Sequence, residues 1–304
     1  MRIVITGAGG FVGRALVRTL AAEHDIVAVD THARGSGGIE QVIGDIGDPA
    51  TVARAFAQPC DAVIHLATVP GGAAEQNPAE AKRVNIDATM ALIEAAAATG
   101  NHPRFVFASS IAVFGDPLPP HVDDDTPIAP RMVYGAHKAM IEAWIATQSR
   151  RGAIDGMSLR LSGIVARPGG PSGMKSAFIS DVFHAARARH YFTAPVSADA
   201  TMWLMSVDCI AANIAHALTC PTRIAALTLP ALRVRFGNLV GGIALATGSD
   251  RTLVSYNPDP VLEAAFGNQP QLMTAAADTL GFHHDGNLAA LIASALATIE
   301  GDSV

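Results

Sequence analysis

Tyr134 and Lys138 are the residues whose types and spacing could carry out acid-base chemistry. Positions four apart on a helix share one face, with Cβ atoms about 5–6 Å apart, so the lysine ammonium would stand beside the phenol. An unperturbed phenol has a pKa near 10, and catalysis near neutral pH needs the phenolate to be about three pH units, or about 4 kcal/mol, more accessible. A neighbouring positive charge shifts a phenol in that direction. An exposed Tyr and Lys with this spacing also occur by chance.

Ser110 gives the pair a third partner. It follows a short apolar run, residues 104–108, which predicts a strand, and it lies 24 residues before Tyr134. At the carboxyl end of a parallel strand a hydroxyl faces the crevice where ligands bind. Ser110 can therefore hydrogen-bond an alcohol oxygen while that oxygen becomes a carbonyl.

A glycine-rich turn near the N-terminus indicates a second kind of chemistry. Gly7, Gly10 and Gly13 have GxxGxxG spacing directly after a short apolar run, and Phe11 and Val12 open a helical pattern. Glycine lets the backbone approach a pyrophosphate closely, and the start of a helix offers unpaired N–H groups and a positive dipole to an anion. The turn predicts a dinucleotide site, although three glycines can also serve only to let the backbone turn.

Asp30 favours the dinucleotide. It ends the second predicted strand, 17 residues after Gly13, near the distance at which a carboxylate meets the adenosine ribose hydroxyls. A carboxylate there repels a 2′-phosphate, so the predicted cofactor is NAD and not NADP. Arg34 argues the other way, and we interpret it as a solvated loop residue. Asp45 and Ile46 are predicted to meet the adenine ring, although an Asp that caps a turn is an equally good account.

Strand and helix patterns alternate through the first half of the chain. Such alternation implies a parallel sheet wrapped by helices, so the predicted fold class is α/β, a Rossmann-type doubly wound parallel sheet with a smaller C-terminal substrate-binding domain. The predicted strands are residues 2–6, 26–29, 61–66, 104–108 and 157–161, and the predicted helices are residues 11–22, 88–98 and 134–148. Residues 1–165 are predicted to form the NAD-binding domain, with residues 200–222 packing back on it, and residues 166–304 the second domain.

Composition limits the partners. The net charge is −6 and no basic block is present, so nucleic acid is not expected. The longest apolar stretches, such as residues 239–247, fall short of the roughly 20 residues that span a bilayer, and the N-terminal apolar run is too short for a secretory signal. We expect a cytoplasmic protein without membrane contact. His283, His284 and Asp285 are interpreted as solvated, so no metal is expected. Whether the chain forms a homodimer stays open.

Five motifs together give the chain a family resemblance over its first 170 residues or so. They are TGAGGFVG, HLA at residues 65–67, VN at 84–85, SSIAVFG at 109–115 and YGAHK at 134–138. In this order and spacing the chain resembles the extended short-chain dehydrogenase/reductase superfamily. The resemblance implies a catalytic triad of Ser110, Tyr134 and Lys138, with Lys138 also on the nicotinamide ribose. It further implies cofactor contacts from the glycine turn and Asp30, and from Leu66, Ala67, Asn85, Leu161, Gly163 and Ile164.

Many members of that superfamily are nucleotide-sugar epimerases or dehydratases. Such epimerases commonly carry an Asn that contacts the nucleotide phosphates after the strand that follows the triad, where this chain has Gly163. The chain is more similar to a branch of sugar-acid dehydrogenases, through SSIAVFGDPLP at residues 109–119, DDTP at 124–127, VARPGGPSG at 165–173, WLMS at 203–206 and LTLPAL at 227–232. That resemblance implies NAD-dependent oxidation of the C2 hydroxyl of a four-carbon sugar acid to a 2-keto acid. A non-catalytic NAD(H)-binding protein is the third alternative.

A sugar acid brings a carboxylate into the site, and an unpaired buried charge costs several kcal/mol. Ser172 and Lys175 are the predicted partners of that carboxylate, with Thr201 and Trp203 as walls of the substrate pocket. A solvated Lys175 and a Trp203 that only packs are the alternatives.

Overall fold

The computed structural model describes residues 1–32, 38–115, 117–169, 175–221 and 224–301. The chain divides into two compact units. The first comprises Met1–Gly115, Pro127–Leu161 and Ala211–Thr228, and the second comprises Asp116–Thr126, Ser162–Ile210 and Leu229–Val304. The predicted domain limits stay predictions.

Strands and helices alternate along the first half of the chain. The strands are β1 (Arg2–Thr6), β2 (Asp25–Asp30), β3 (Glu40–Ile43), β4 (Ala62–His65), β5 (Arg104–Ser110), β6 (His121–Val122), β7 (Asp155–Leu161), β8 (Gly163–Val165), β9 (Phe192–Ala194), β10 (Thr201–Ser206), β11 (Ala226–Thr228), β12 (Leu232–Arg235), β13 (Val254–Tyr256) and β14 (Gln271–Leu272). The helices are α1 (Phe11–Leu20), α2 (Pro49–Ala55), α3 (Gly71–Gln76), α4 (Pro78–Lys82), α5 (Thr89–Ala98), α6 (Val133–Arg150), α7 (Phe178–Ala188), α8 (Val207–Ala217), α9 (Phe236–Thr247), α10 (Pro260–Phe266), α11 (Ala275–Thr279) and α12 (Leu288–Gly301).

A seven-stranded parallel sheet forms the centre of the first unit. Its strand order is β11-β7-β5-β4-β1-β2-β3, and every pairing is parallel. The order reverses between β1 and β4, which is the switch point where doubly wound sheets bind ligands at the carboxyl ends of their strands. Apolar runs such as that of β1 are buried because helices cover both faces of the sheet. The predicted Rossmann-type fold class is confirmed.

One helical stretch of the first unit changes its winding. Between α4 and α5, residues Arg83–Ala88 form a π-helix, so the helical region begins well before the predicted residue 88. Single π-helical turns inside α-helices are frequent at functional sites. This turn buries Asn85, Ile86 and Ala88.

The second unit has its own small sheets and its own core. Strand β10 pairs antiparallel with β12 and parallel with β8, and the pairs β13-β9 and β14-β6 are two-stranded. Buried apolar side chains of α7, α9 and α12, including Phe183, Phe236 and Leu291, form a single cluster. No helix in the described part of the chain combines the length and apolarity needed to cross a bilayer.

Candidate active site

The glycine turn is packed so tightly that side chains would not fit. A Cβ on Gly13 would lie 2.2 Å from the carbonyl oxygen of Gly7. Gly7 has a φ of +70°, and a Cβ there would lie 2.8 Å from the backbone nitrogen of Ala67. Helix α1 starts directly after the turn, with Gly10 as its N-cap residue. The turn therefore brings bare backbone to the N-terminus of a helix, which is the arrangement that holds a pyrophosphate.

Asp30 lies at the carboxyl end of β2, beside that turn. One carboxylate oxygen accepts a hydrogen bond from the backbone nitrogen of Gly9 at 2.9 Å. The other accepts from the backbone nitrogen of His32 at 3.2 Å. The carboxylate is only half-buried, so its remaining lone pairs are available to ribose hydroxyls. Arg34 lies outside the described residues.

Asp45 makes an ion pair that the sequence did not indicate. Its carboxylate accepts from Arg83 at 2.6 Å and from the backbone nitrogen of Gly47 at 2.7 Å. The hydrogen bond from Arg83 is the main reason why the pKa of Asp45 is lowered. Both side chains are more than two-fifths exposed, so the pair contributes little to stability. Ile46 is buried in the core of the first unit.

A buried chain of hydrogen bonds fixes the end of β4. The Thr6 hydroxyl lies 2.6 Å from His65 Nδ1, and His65 Nε2 lies 2.8 Å from the Thr89 hydroxyl. Burial lowers the pKa of His65 to about 3, so the ring is neutral. The Thr89 hydroxyl also donates to the carbonyl of Val84 at 3.3 Å, a direction that fits a ring proton on Nε2 and a hydrogen bond from Thr6 to Nδ1.

The loop after β4 is anchored by the π-helical turn. Leu66 and Ala67 begin this loop and are half-buried. The Asn85 side chain accepts from the Thr68 hydroxyl at 3.0 Å and from the backbone nitrogen of Val69 at 2.7 Å. Its amide nitrogen donates to the Val69 carbonyl at 3.0 Å. Asn85 thus shapes the loop, and its direct contact with the cofactor stays a prediction.

Ser110 is the last residue of β5. Its side chain accepts from the backbone nitrogen of Ala112 at 3.1 Å and caps a short 3₁₀ turn, Ile111–Val113. The hydroxyl proton is then free to be donated to a ligand oxygen. A Cβ on Gly135 would lie 2.0 Å from the carbonyl oxygen of Ala112, so glycine at that position lets α6 approach this turn. In the sequence, a glycine directly after Tyr134 and inside a helical pattern could have indicated that α6 packs closely against a neighbouring segment.

Tyr134 lies in the first turn of α6. The Glu75 carboxylate accepts from the backbone nitrogen of Val133 at 2.7 Å and fixes the start of that helix. Lys138 Nζ lies 5.4 Å from the centre of the Tyr134 ring. The ammonium therefore stands beside the phenol, as the i and i+4 spacing predicts.

Lys138 is buried, with 3% of its surface exposed. Its ammonium donates to the Ala108 carbonyl at 2.7 Å and lies 4.4 Å from the centre of the Phe107 ring. Desolvation lowers its pKa from 10.5 to about 7, and the nearby charge of Glu142 opposes that change. Few of the described groups compensate the buried positive charge of Lys138. That charge can therefore stabilise an anion at Tyr134.

The remaining predicted site residues belong to β7, β8 and β10 and to the segment that follows β8 in the chain. Leu161 ends β7 and is largely buried, whereas Gly163 and Ile164 belong to β8 of the second unit. The Thr201 hydroxyl donates to the Gln269 carbonyl at 2.8 Å, and the indole N–H of the buried Trp203 donates to the Pro270 carbonyl at 2.8 Å. Lys175 is exposed. Ser172 lies outside the described residues. The substrate roles of these residues stay predictions.

The tightly packed glycine turn and the half-buried carboxylate of Asp30 fit the pyrophosphate and the adenosine ribose of a dinucleotide. A hydroxyl, a phenol and a buried lysine lie on neighbouring segments of the same unit. The sheet and these side chains define an NAD-dependent oxidoreductase with a Rossmann fold.

Comparison with known proteins places the chain in a particular family. Residues 3–224 match the model of the NAD dependent epimerase/dehydratase family, and the chain belongs to that family. D-erythronate dehydrogenase of Cupriavidus necator is 32% identical over 310 residues, which cover 94% of this chain and 95% of that protein. D-erythronate dehydrogenase of Haemophilus influenzae is 32% identical over 231 residues, or 73% of each chain. A nucleoside-diphosphate-sugar epimerase structure from Agrobacterium tumefaciens has a TM-score of 0.87 and 27% identity, and covers 96% of this chain and 92% of that one.

Proposed function

We propose that this enzyme oxidises the C2 hydroxyl of a sugar acid with NAD, and that D-erythronate is converted to 2-keto-D-erythronate. The observation that carries the proposal is the similarity to a D-erythronate dehydrogenase over 94% of the chain, which extends through both compact units. The grouping of Ser110, Tyr134 and Lys138 in the first unit supports the proposal. A protein that only binds NAD does not need these three side chains together at this spacing.

The three side chains have complementary parts in the proposed reaction. Tyr134, as phenolate, takes the proton of the C2 hydroxyl, and the Ser110 hydroxyl donates a hydrogen bond to the same oxygen. The Lys138 ammonium, 5.4 Å from the Tyr134 ring centre, favours the phenolate over the neutral phenol. NAD, when bound, supplies the acceptor for the hydride from C2.

This chain's own residues would hold the cofactor. Gly7, Gly10 and Gly13 would receive the pyrophosphate at the start of α1, and the Asp30 carboxylate would bind the adenosine ribose. Lys138 would also hold the nicotinamide ribose. The same carboxylate at Asp30 disfavours a 2′-phosphate through like-charge repulsion.

The substrate carboxylate needs a partner, because a charge that is buried alone is costly. We propose Lys175 and Ser172 for this part, with Thr201 and Trp203 in the substrate pocket. Hydrogen bonds to the substrate hydroxyls would then select among acids of similar length, since an unpaired polar group in the site penalises the analogue that lacks its partner.

A nucleotide-sugar epimerase is the second candidate, favoured by the 27% identity with the Agrobacterium tumefaciens structure. Gly163 argues against it. This position lacks the Asn side chain, and a Cβ would lie 3.0 Å from Leu204 Cδ2 and from the carbonyl oxygen of Trp203. A larger side chain would have to displace these neighbours.

The experiment is a panel of four- to six-carbon aldonates and UDP-sugars, assayed with NAD by absorbance of NADH. We expect NADH from D-erythronate and none from the UDP-sugars, and an activity loss of roughly a hundredfold or more in Tyr134→Phe with NAD affinity retained. Interconversion of a UDP-sugar without net NADH would establish the epimerase instead.

A further inference from the structure

A buried charge cluster lies next to the proposed catalytic residues and has no part in the mechanism above. Glu142 on α6 and Arg160 on β7 form an ion pair with a distance of 2.8 Å between Arg160 Nη2 and Glu142 Oε2. Their side chains are 4% and 10% exposed. The Ser109 hydroxyl donates to Glu142 Oε1 at 2.5 Å, and Arg160 Nε donates to the same oxygen at 3.0 Å.

Stability alone is a weak reason for such a cluster. Desolvation of a buried ion pair consumes much of the Coulomb attraction, and well-packed apolar residues often replace a pair without loss. The guanidinium also lies over the ring of the buried Phe114, 5.4 Å from its centre.

The position of Glu142 connects it with both halves of the proposed site. Ser109, which it binds, directly precedes Ser110 on β5 and is the register partner of Arg160 on β7. Glu142 also lies one helical turn after Lys138, at the i+4 spacing that puts side chains on one face. A single carboxylate thus holds the strand end that carries the hydroxyl and faces the lysine that stands beside the phenol.

We propose that Glu142 is a positioning residue, which holds Ser109 to set the place of Ser110 and supports the positive charge of Lys138, while Arg160 holds the Glu142 carboxylate in place. This inference rests on the proposed function, because it deepens the roles given there to Ser110 and Lys138.

Among the described residues around Lys138, Glu142 is the source of this support. On α6, Tyr134 faces the ammonium from the preceding turn. From β4, His65 faces it as a neutral ring, and from β5 the Ala108 carbonyl accepts a hydrogen bond from it. Glu142 is the charged group whose field raises the pKa of Lys138 against the effect of burial. Without it, more of the lysine is neutral at neutral pH, and the Tyr134 phenolate loses its counter-ion.

The test is Glu142→Gln combined with Arg160→Met, because the single Gln variant would leave a buried guanidinium unpaired. Gln still accepts the hydrogen bond of Ser109, so the double variant removes the charges and keeps that contact. The chain has three tyrosines, which makes the phenolate absorbance near 295 nm usable as the readout. Subtracting the titration of the matching Tyr134→Phe protein isolates Tyr134 in each background without any substrate.

We expect the double variant to raise the pKa of Tyr134 by at least about half a unit, which is a threefold loss of phenolate below that pKa. Arg160→Lys keeps a cation beside Glu142, so the pKa of Tyr134 in this variant should equal that in the unmodified protein. A Tyr134 titration in the double variant within about 0.2 unit of the unmodified protein would overturn the proposal. So would an equal upward shift in Arg160→Lys.

Ser109→Ala tests whether the hydrogen bond between Ser109 and Glu142 sets the place of Ser110. It should lower kcat at least threefold without moving the Tyr134 titration, and an unchanged kcat would overturn the positioning of Ser110. The titrations need no substrate, so they stand even if D-erythronate is not oxidised, and the kcat arm uses whichever substrate the panel identifies.

Discussion

Replacing Lys138 with Met should stabilise the protein while it abolishes turnover. Lys138 is 3% exposed, and desolvation lowers its pKa from 10.5 to about 7. Each unit of pKa shift corresponds to 1.36 kcal/mol, so the shift of about 3.5 units makes burial of the ammonium cost about 4–5 kcal/mol at neutral pH. Methionine fills a similar volume without a charge, at the expense of the hydrogen bond to the Ala108 carbonyl. The net gain at pH 7 is thus expected to be about 2–3 kcal/mol.

The pH dependence of this difference is a sharper quantity than its size. Below about pH 7 the lysine is protonated in both the folded and the unfolded state, so the penalty is constant there. Between about pH 7 and 10 the unfolded chain keeps the proton and the folded protein releases it. Stability rises with pH wherever the unfolded state binds more protons. Between pH 7 and pH 9 the free energy of unfolding of the unmodified protein should therefore rise by about 2 kcal/mol relative to that of Lys138→Met.

The assay is urea denaturation of both proteins, without added nucleotide, at intervals from pH 6 to pH 9. Comparing the two proteins at each pH cancels the other titrating groups. Lys82→Met is the matched control, since it removes a lysine ammonium that is 62% exposed from the same unit. A stability difference between Lys138→Met and the unmodified protein that stays constant from pH 6 to pH 9 would refute the reasoning.

Three further predictions concern the cofactor site and its support. Asp30→Ala should erode an NAD over NADP preference that is at least tenfold in kcat/KM, and equal use of both cofactors by the unmodified protein would contradict the role of Asp30. Gly13→Ala should weaken NAD binding at least tenfold in calorimetric titration, because its Cβ would lie 2.2 Å from a backbone carbonyl oxygen, whereas Gly241→Ala, with nothing within 4 Å of its Cβ, should bind normally. Thr89→Val should cost about 1–3 kcal/mol in urea denaturation by leaving His65 Nε2 without its partner, and an unchanged stability would show that this hydrogen bond contributes nothing.

Much of the first unit could be predicted from local patterns. The run of residues 2–6 is a strand as predicted, and the helix expected over residues 134–148 extends over Val133–Arg150. Regular hydrophobic periodicity and the glycine turn are enough to predict these elements, because both depend on residues that are close together in the sequence. Ser110 belongs to β5 itself, two residues beyond the expected end of that strand, since strand ends depend on pairing with β7.

The buried polar contacts were beyond the reach of a single sequence. Glu142 and Arg160 are 18 residues apart and meet only because α6 packs on β7. An arginine flanked by two leucines in a strand pattern does signal a buried charge in need of a partner, but nothing local tells which carboxylate supplies it. The Asp45 and Arg83 pair, 38 residues apart, depends in the same way on the packed structure.

The most direct test of the proposed reaction follows one hydrogen atom. D-erythronate carrying deuterium at C2 is incubated with the enzyme and unlabelled NAD, and the nucleotide and the acid are analysed by mass spectrometry. We expect NADH that is heavier by one mass unit and 2-keto-D-erythronate without the label, with the formation of both products slowed by roughly a hundredfold or more in Tyr134→Phe. Unlabelled NADH, or deuterium that stays on the acid, would contradict oxidation at C2.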